Sequence, residues 1–171
     1  MSENGKHVAE ASGLRRDALG LLLRLLGTAL TVWLLFTQVL YIGRCEGTDM
    51  FPAVRDGDLV LALRRGRGYV CGDVLVCRAE GRVRVLRLTA RGGDVVSFDD
   101  NGGVLLNGTA EGGIFYPTKP GEGEYPLRIE PGRYYLLGDL RTQSTDSRAF
   151  GTLGEDEILG RVITLVRRRG I

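Results

Sequence analysis

Few groups in this chain can move a proton. Lysine occurs at Lys6 and Lys119 and histidine only at His7, so arginine supplies nearly all the positive charge. A guanidinium stays protonated and cannot act as a base. Hydroxyls and carboxylates are more abundant. Asp139, Arg141, Asp146 and Arg148 alternate in sign around Ser144 and Ser147. Such a segment supports charge-assisted hydrogen bonds that lock a loop, and its simpler reading is a solvated charged turn. Cys45, Cys71 and Cys77 form no CxxC pair, so a zinc site is not expected. An extended chain holds Cys71 and Cys77 roughly 20 Å apart, which favours free thiols over a disulfide. Cys45 reads as an unpaired surface thiol. No metal or cofactor is expected, and a formal charge of +2 gives no nucleic-acid footprint.

The elements that must position these groups follow from patterning. With 171 residues, the chain is long enough for an anchor and one domain with a core. Residues 1–18 are polar and read as a disordered tail. The run LLGTALTVWLLFTQVLYI from Leu25 to Ile42 approaches the ~20 residues of a membrane-spanning helix. Leu21 to Leu23 extend it when Arg24 snorkels to the interface, giving a span over 19–43. A cleaved signal peptide fits less well, because the run exceeds the usual apolar region and Gly43-Arg44-Cys45-Glu46 lacks the small-residue cleavage pattern. Lys6, Arg15, Arg16 and Arg24 precede the span and Arg44 follows it. The positive-inside rule then places the N-terminus in the cytoplasm and residues 44–171 outside a plasma membrane.

The remainder alternates short apolar runs with turns, and its 26 glycines favour a turn-rich β architecture. Strands are expected at Asp58–Leu63, Val74–Arg78, Arg82–Leu88, Val95–Phe98, Val104–Leu106, Tyr134–Leu137 and Ile158–Val166. Glu80-Gly81 marks a hairpin. Gly112 to Pro126 reads as a long surface loop, and the sequon Asn107-Gly108-Thr109 as a turn.

Three segments carry a family resemblance. Thr48-Asp49-Met50-Phe51-Pro52 precedes Arg55-Asp56-Gly57-Asp58-Leu59-Val60. Arg87 leads to Gly92-Gly93-Asp94-Val95. Leu136-Leu137-Gly138-Asp139-Leu140-Arg141 precedes Ser144-Thr145-Asp146-Ser147-Arg148-Ala149-Phe150-Gly151, with Gly160-Arg161 beyond. In order and in distance from the anchor these resemble type I signal peptidases. That family shows Ser-Met-x-Pro, then Lys-Arg with Pro-Gly-Asp, then Gly-Asp-Asn-Arg with Ser-x-Asp-Ser-Arg-x-Phe-Gly. The resemblance implies a mainly β domain with the coiled antiparallel fold of signal peptidases after one N-terminal transmembrane helix. It implies a small excursion near residues 99–130 and a groove with support from Gly47, Met50, Pro52, Ser144, Asp146 and Arg148. Ser144 matches the serine that supports the catalytic lysine, and Asp146 with Arg148 a structural pair beneath the site.

The chain departs from the family at the reacting positions. The family's serine nucleophile immediately precedes Met, and here that residue is Asp49. The lysine base immediately precedes Arg, and here it is Leu86. The serine that aids the oxyanion hole in many members is Gly47. Thr48, one step along an extended chain, points the other way. An Asp49–Asp146 carboxylate dyad lacks the motif such dyads carry. Loss of both partners implies a non-catalytic paralogue of the kind that Gram-positive bacteria carry in pilus-assembly loci. Its implied role is accessory or chaperone-like, with exported proteins or their signal peptides, pilin and sortase as partners. The alternative is an active signal peptidase I using another catalytic pair.

Overall fold

The structure, a computed structural model, describes residues 3–64, 68–113, 118–121 and 123–167, except the side chains of residues 3–15. The chain divides into two units at Val39/Leu40. The first is one helix, α1 (Glu3–Gln38). Within it, Arg16–Gln38 spans 23 residues, none of it buried. At 1.5 Å per residue that is roughly 35 Å, enough to cross a hydrocarbon core. An apolar helix of this kind fits a single-pass membrane anchor.

Both ends of the helix differ from expectation. It reaches back to Glu3, into the segment read as a tail, because residues 3–18 lack proline and carry helix-forming Ala, Leu, Glu and Arg. The side chains of Lys6, His7 and Arg15 lie outside the described residues. It stops at Gln38 rather than residue 43. Leu40–Arg44 forms strand β1 instead, pairing antiparallel with β2 (Leu59–Leu63), Ile42 opposite Leu61. The apolar run therefore serves two structures, and only the tertiary pairing separates them.

The second unit is mainly β and antiparallel. Besides β1 and β2, its larger sheet contains β3 (Val74–Ala79), β4 (Arg82–Arg91), β9 (Arg133–Leu137), β10 (Leu153–Gly154) and β11 (Ile158–Val166). Their order is β1-β2-β11-β3-β4-β9-β10. A four-stranded sheet contains β5 (Val95–Phe98), β6 (Val104–Leu106), β7 (Thr109–Ala110) and β8 (Leu127–Arg128), in the order β7-β6-β5-β8. That sheet begins at Val95, before the expected excursion at 99–130. All seven strands read from the sequence are present, and β1 and the two-residue strands β7, β8 and β10 are additional. The described parts of Gly112–Pro126 contain no strand, and residues 114–117 and 122 lie outside the described residues.

Strand periodicity sorts the core. On β4, Leu86 and Leu88 pack with Leu75, Cys77 and Leu136, while Val85 faces a second cluster with Met50, Val54, Val60 and Val76. Tyr135 and Leu137 join Val96, Val104 and Ile129 under the smaller sheet. The β3–β4 hairpin turns at Glu80 and Gly81, with φ of 50° and 74°, the left-handed pair that matches strand twist. The cysteines are unpaired thiols. Cys71 is exposed, whereas Cys45 is buried among Met50, Val54 and Val60 rather than at the surface.

Candidate active-site region

Asp49 sits in a turn, not in an extended strand. The Phe51 amide donates to the Thr48 carbonyl at 2.9 Å, and the Val54 amide to the Met50 carbonyl at 2.9 Å. Met50 is buried and anchors the turn, while Thr48 and Pro52 are exposed. Gly47 has φ of +91° with open space beside its Cα, and its amide donates to Asp56 Oδ1 at 2.9 Å. A side chain there would be strained by the backbone rather than by crowding.

The Asp49 carboxylate is held from two directions. Arg84 Nη1 donates to Oδ2 at 3.2 Å, and the Thr145 amide donates to Oδ1 at 3.2 Å. Both side chains of the ion pair are about 15% exposed. Arg84 lies two residues before Leu86 on β4, on the same face of the strand. Leu86 itself is fully buried in apolar surroundings. The strand thus presents a guanidinium to position 49 and an isobutyl group to the core.

Sequence reasoning missed Arg84. The signal was the period-2 run Arg82-Val83-Arg84-Val85-Leu86, which places arginines on the face of Leu86. The same cation acts on Cys77, which pairs in register with Arg84. Burial pushes the Cys77 thiol up to about 12, with Arg84 opposing and Asp49 adding to the rise.

The loop after β9 supplies the other wall. Gly138 has to be glycine. A Cβ there would meet Ser144 Cβ at 2.3 Å and the Asp49 carbonyl oxygen at 2.6 Å. The close approach lets the Leu140 amide donate to that Asp49 carbonyl at 2.9 Å. Beneath it, Asp146, with its side chain fully buried, accepts from the Gly138 amide at 3.0 Å, Ser144 Oγ at 2.5 Å, and Arg148 Nε and Nη2 at 2.8 and 2.7 Å. Arg148 Nη2 also donates to Ser144 Oγ at 2.9 Å and the Arg141 carbonyl at 2.7 Å. Burial works against the Arg148 charge, but the hydrogen bonds and charge of Asp146 outweigh it and raise the guanidinium pKa. Asp146 also caps the short helix α2 (Ser147–Phe150) through the Arg148 amide, and Ser147 Oγ accepts the Leu136 amide at 2.9 Å. Two further pairs were not foreseen. Arg87 binds Asp139 bidentately at 2.7 and 2.6 Å. Arg141 Nη2 meets Glu111 Oε2 at 2.6 Å across 30 residues of chain.

Two openings flank this framework. Tyr41, Arg44, Glu46, Gly47, Thr48, Asp49 and Arg82–Arg84 line a groove of about 670 Å³. On the loop side a second cavity of about 550 Å³ brings Lys119 to one surface with Thr118, Ser144 and Arg148. Position 49 offers an ion-paired carboxylate, which is neither a serine-type nucleophile nor beside an amine base. Ser144 is already donating to Asp146. Among the described residues no group of three or more His, Cys, Asp or Glu is placed to hold a metal.

Comparison with known proteins agrees with the motif order. Residues 16–166 match the family described as signal peptidase, peptidase S26. Signal peptidase I T of Bacillus subtilis is 30% identical over 132 residues, covering 67% of each chain. Signal peptidase IB of Staphylococcus aureus is 31% identical over 140 residues, covering 68% of this chain and 72% of its own. A crystal structure of a signal peptidase I from Enterococcus faecalis aligns at 22% identity with a TM-score of 0.48, covering 57% of this chain and 98% of that one.

Proposed function

The chain belongs to the signal peptidase family, peptidase S26, and from that premise we propose that it is a non-catalytic member working as an accessory or chaperone-like factor for exported proteins. The observation that carries this reading is the state of position 49. Its carboxylate is tied to Arg84 and the Thr145 amide, and the base position, Leu86, is sealed in the core. A carboxylate held by a guanidinium is a poor nucleophile toward a carbonyl, and Leu86 offers no base to activate a water or a hydroxyl in its place, while the groove beside it stays open. On this reading α1 anchors the chain with its N-terminus in the cytoplasm and residues 44–171 outside, in keeping with the basic residues before the span. Pilins and sortases are the partner class that the implied paralogues suggest.

The experiment is incubation of the detergent-solubilised chain with a preprotein and with a fluorogenic peptide carrying small residues at the cleavage positions. No turnover is expected. Turnover abolished by Asp49→Ala makes Asp49 catalytic, and turnover that survives it requires another nucleophile; either result ends the reading. A second reading, an active signal peptidase using a different pair, draws on one observation: Lys119 and Ser144 line the same cavity. It requires cleavage that both Lys119→Ala and Ser144→Ala abolish. The functions named for the relatives favour this reading, and the 2.5 Å hydrogen bond from Ser144 to Asp146 weighs against it.

Restoring the old chemistry needs more than two substitutions. Asp49→Ser and Leu86→Lys each alone should remain inactive, and Asp49→Ser also strips Arg84 of its counter-ion. The combination is expected to cleave weakly. Adding Gly47→Ser supplies an oxyanion donor of the kind worth roughly 100- to 1,000-fold, but the positive φ at Gly47 sets a conformational cost against that gain.

A further inference from the structure

Asparagine precedes glycine twice, at Asn101-Gly102 and Asn107-Gly108, both in turns of the smaller sheet. Without a Cβ, the glycine amide nitrogen is open to the asparagine side chain before it. That nitrogen can attack Cγ. The new C–N bond closes a succinimide, and the side-chain nitrogen leaves as ammonia with the amide proton. Water then opens the ring at either carbonyl. One opening gives aspartate. The other gives isoaspartate, whose main chain runs through the additional methylene. By sequence the two sites are alike.

The structure separates them. Asn107 is tied at both ends of its side-chain amide. The Val95 amide donates to its Oδ1 at 2.8 Å, and its Nδ2 donates to Asp94 Oδ1 at 2.9 Å. Turning its Cγ toward the Gly108 nitrogen breaks both bonds. Asn101 is exposed, and its side-chain amide has no partner among the described residues. Its turn is shaped instead by Asp99, whose Oδ1 accepts the Asn101 and Gly103 amides at 2.8 and 2.7 Å. Attack at this site gives up one main-chain bond, from the Gly102 amide to the Asp99 carbonyl at 3.0 Å.

The turn at Asn101 is also coupled to the loop framework. The Gly102 carbonyl accepts the Thr118 amide at 2.9 Å. The approach is so close that a Cβ on Gly102 would collide with the Thr118 backbone. Thr118 Oγ1 accepts from Arg148 Nη1 and donates to the Arg141 carbonyl at 3.2 Å. One residue thus joins the smaller sheet to the Asp146–Arg148 network.

We propose that Asn101 is a site of spontaneous deamidation, that Asn107 is protected from it, and that isoaspartate at position 101 releases Thr118 from the smaller sheet. The added methylene lies immediately before Gly102 and shifts the carbonyl that holds the Thr118 amide. Deamidation to ordinary aspartate adds charge but leaves the main-chain length unchanged, so Thr118 stays in place.

The test incubates the full chain in neutral detergent micelles in mildly alkaline buffer. Peptide mapping with electron-transfer fragmentation follows each asparagine and tells aspartate from isoaspartate. In the folded chain Asn101 should react at least about fivefold faster than Asn107, the scale of the one further hydrogen bond that Asn107 gives up. In urea the two rates should converge. Asp94→Ala, checked by melting for an intact fold, should speed Asn107 about threefold and leave Asn101 unchanged. In the isoaspartate form the Thr118 amide should exchange with deuterium at least about tenfold faster. Asn101→Asp should leave it protected.

Equal rates in the folded chain, a faster Asn107, or a gap that persists in urea overturns the assignment of the site. So does a folded chain that stays intact at Asn101 while the unfolded chain reacts there. Unchanged protection of Thr118 in the isoaspartate form, or its loss in Asn101→Asp, overturns the release step.

Discussion

The loop from Gly138 to Phe150 and the turn around Asp49 face each other, and they tolerate change to very different degrees. In the loop the Asp146 and Arg148 charges are each held by several partners. Asp146 alone satisfies Gly138, Ser144 and Arg148, so its replacement leaves all three without that partner. At the turn, Asp49 has two partners and lies at the rim of an open groove. The buried framework beneath the groove is thus more constrained energetically than the carboxylate at its rim. A carboxylate at that rim is accommodated because a nearby strand supplies a cation.

Several experiments would break or sharpen that contrast. The largest effect is expected from Asp146→Ala, which strands Arg148 with its side chain 10% exposed. Loss of one partner of a buried pair should cost about 3–5 kcal/mol, read by thermal or denaturant melts. An unchanged melt would make the loop the solvated charged turn that is its simpler reading.

Leu86→Lys should come next, since it puts an amine at a fully buried apolar site. An unpaired buried polar group costs about 1–3 kcal/mol. Burial favours the neutral amine, so its folded pKa falls below the free value. A depressed folded pKa means that stability is present above the unfolded pKa and lost as pH falls through the folded one. The variant should therefore melt progressively lower from alkaline to neutral pH. A Leu86→Lys chain as stable as the parent at neutral pH would show that the amine reaches water or Asp49.

A double-mutant cycle on Asp49→Ala and Arg84→Ala should return a coupling of about 1 kcal/mol, modest because both side chains remain partly exposed. A coupling near zero would remove Arg84 as the compensating cation.

The smallest effect near neutral pH concerns the thiols. Burial raises Cys45 to about 11 and Cys77 to about 12. A raised folded pKa gives stability that is complete below the unfolded value near 9 and lost as pH climbs toward 11 and 12. At about pH 10 the loss assignable to Cys77 should be about 1 kcal/mol, and Cys77→Ala should flatten that part of the alkaline stability curve. At neutral pH a maleimide should label exposed Cys71 well before the two buried thiols.

Much of this molecule was determined by sequence alone, for local reasons. Alternating apolar residues and Gly-rich turns place seven of the β-domain strands, because strand period and turn conformation are set by neighbours in the chain. The apolar run marks the anchor for the same reason. The motif order identifies the family, and Asp49 and Leu86 stand out against it without coordinates. Tertiary structure decided the rest. Whether Leu40–Arg44 continues a helix or pairs with Leu59–Leu63 depends on a partner strand well beyond the reach of local patterning. Arg141 finds Glu111 and Arg87 finds Asp139 only once the sheets close, since charge pairing over such separations follows topology and not spacing. Most consequentially, the residue facing Asp49 is Arg84 and not Leu86. A strand's twist and the approach permitted by Gly138 select which side chain of one face reaches across, and neither is written in the period of the sequence.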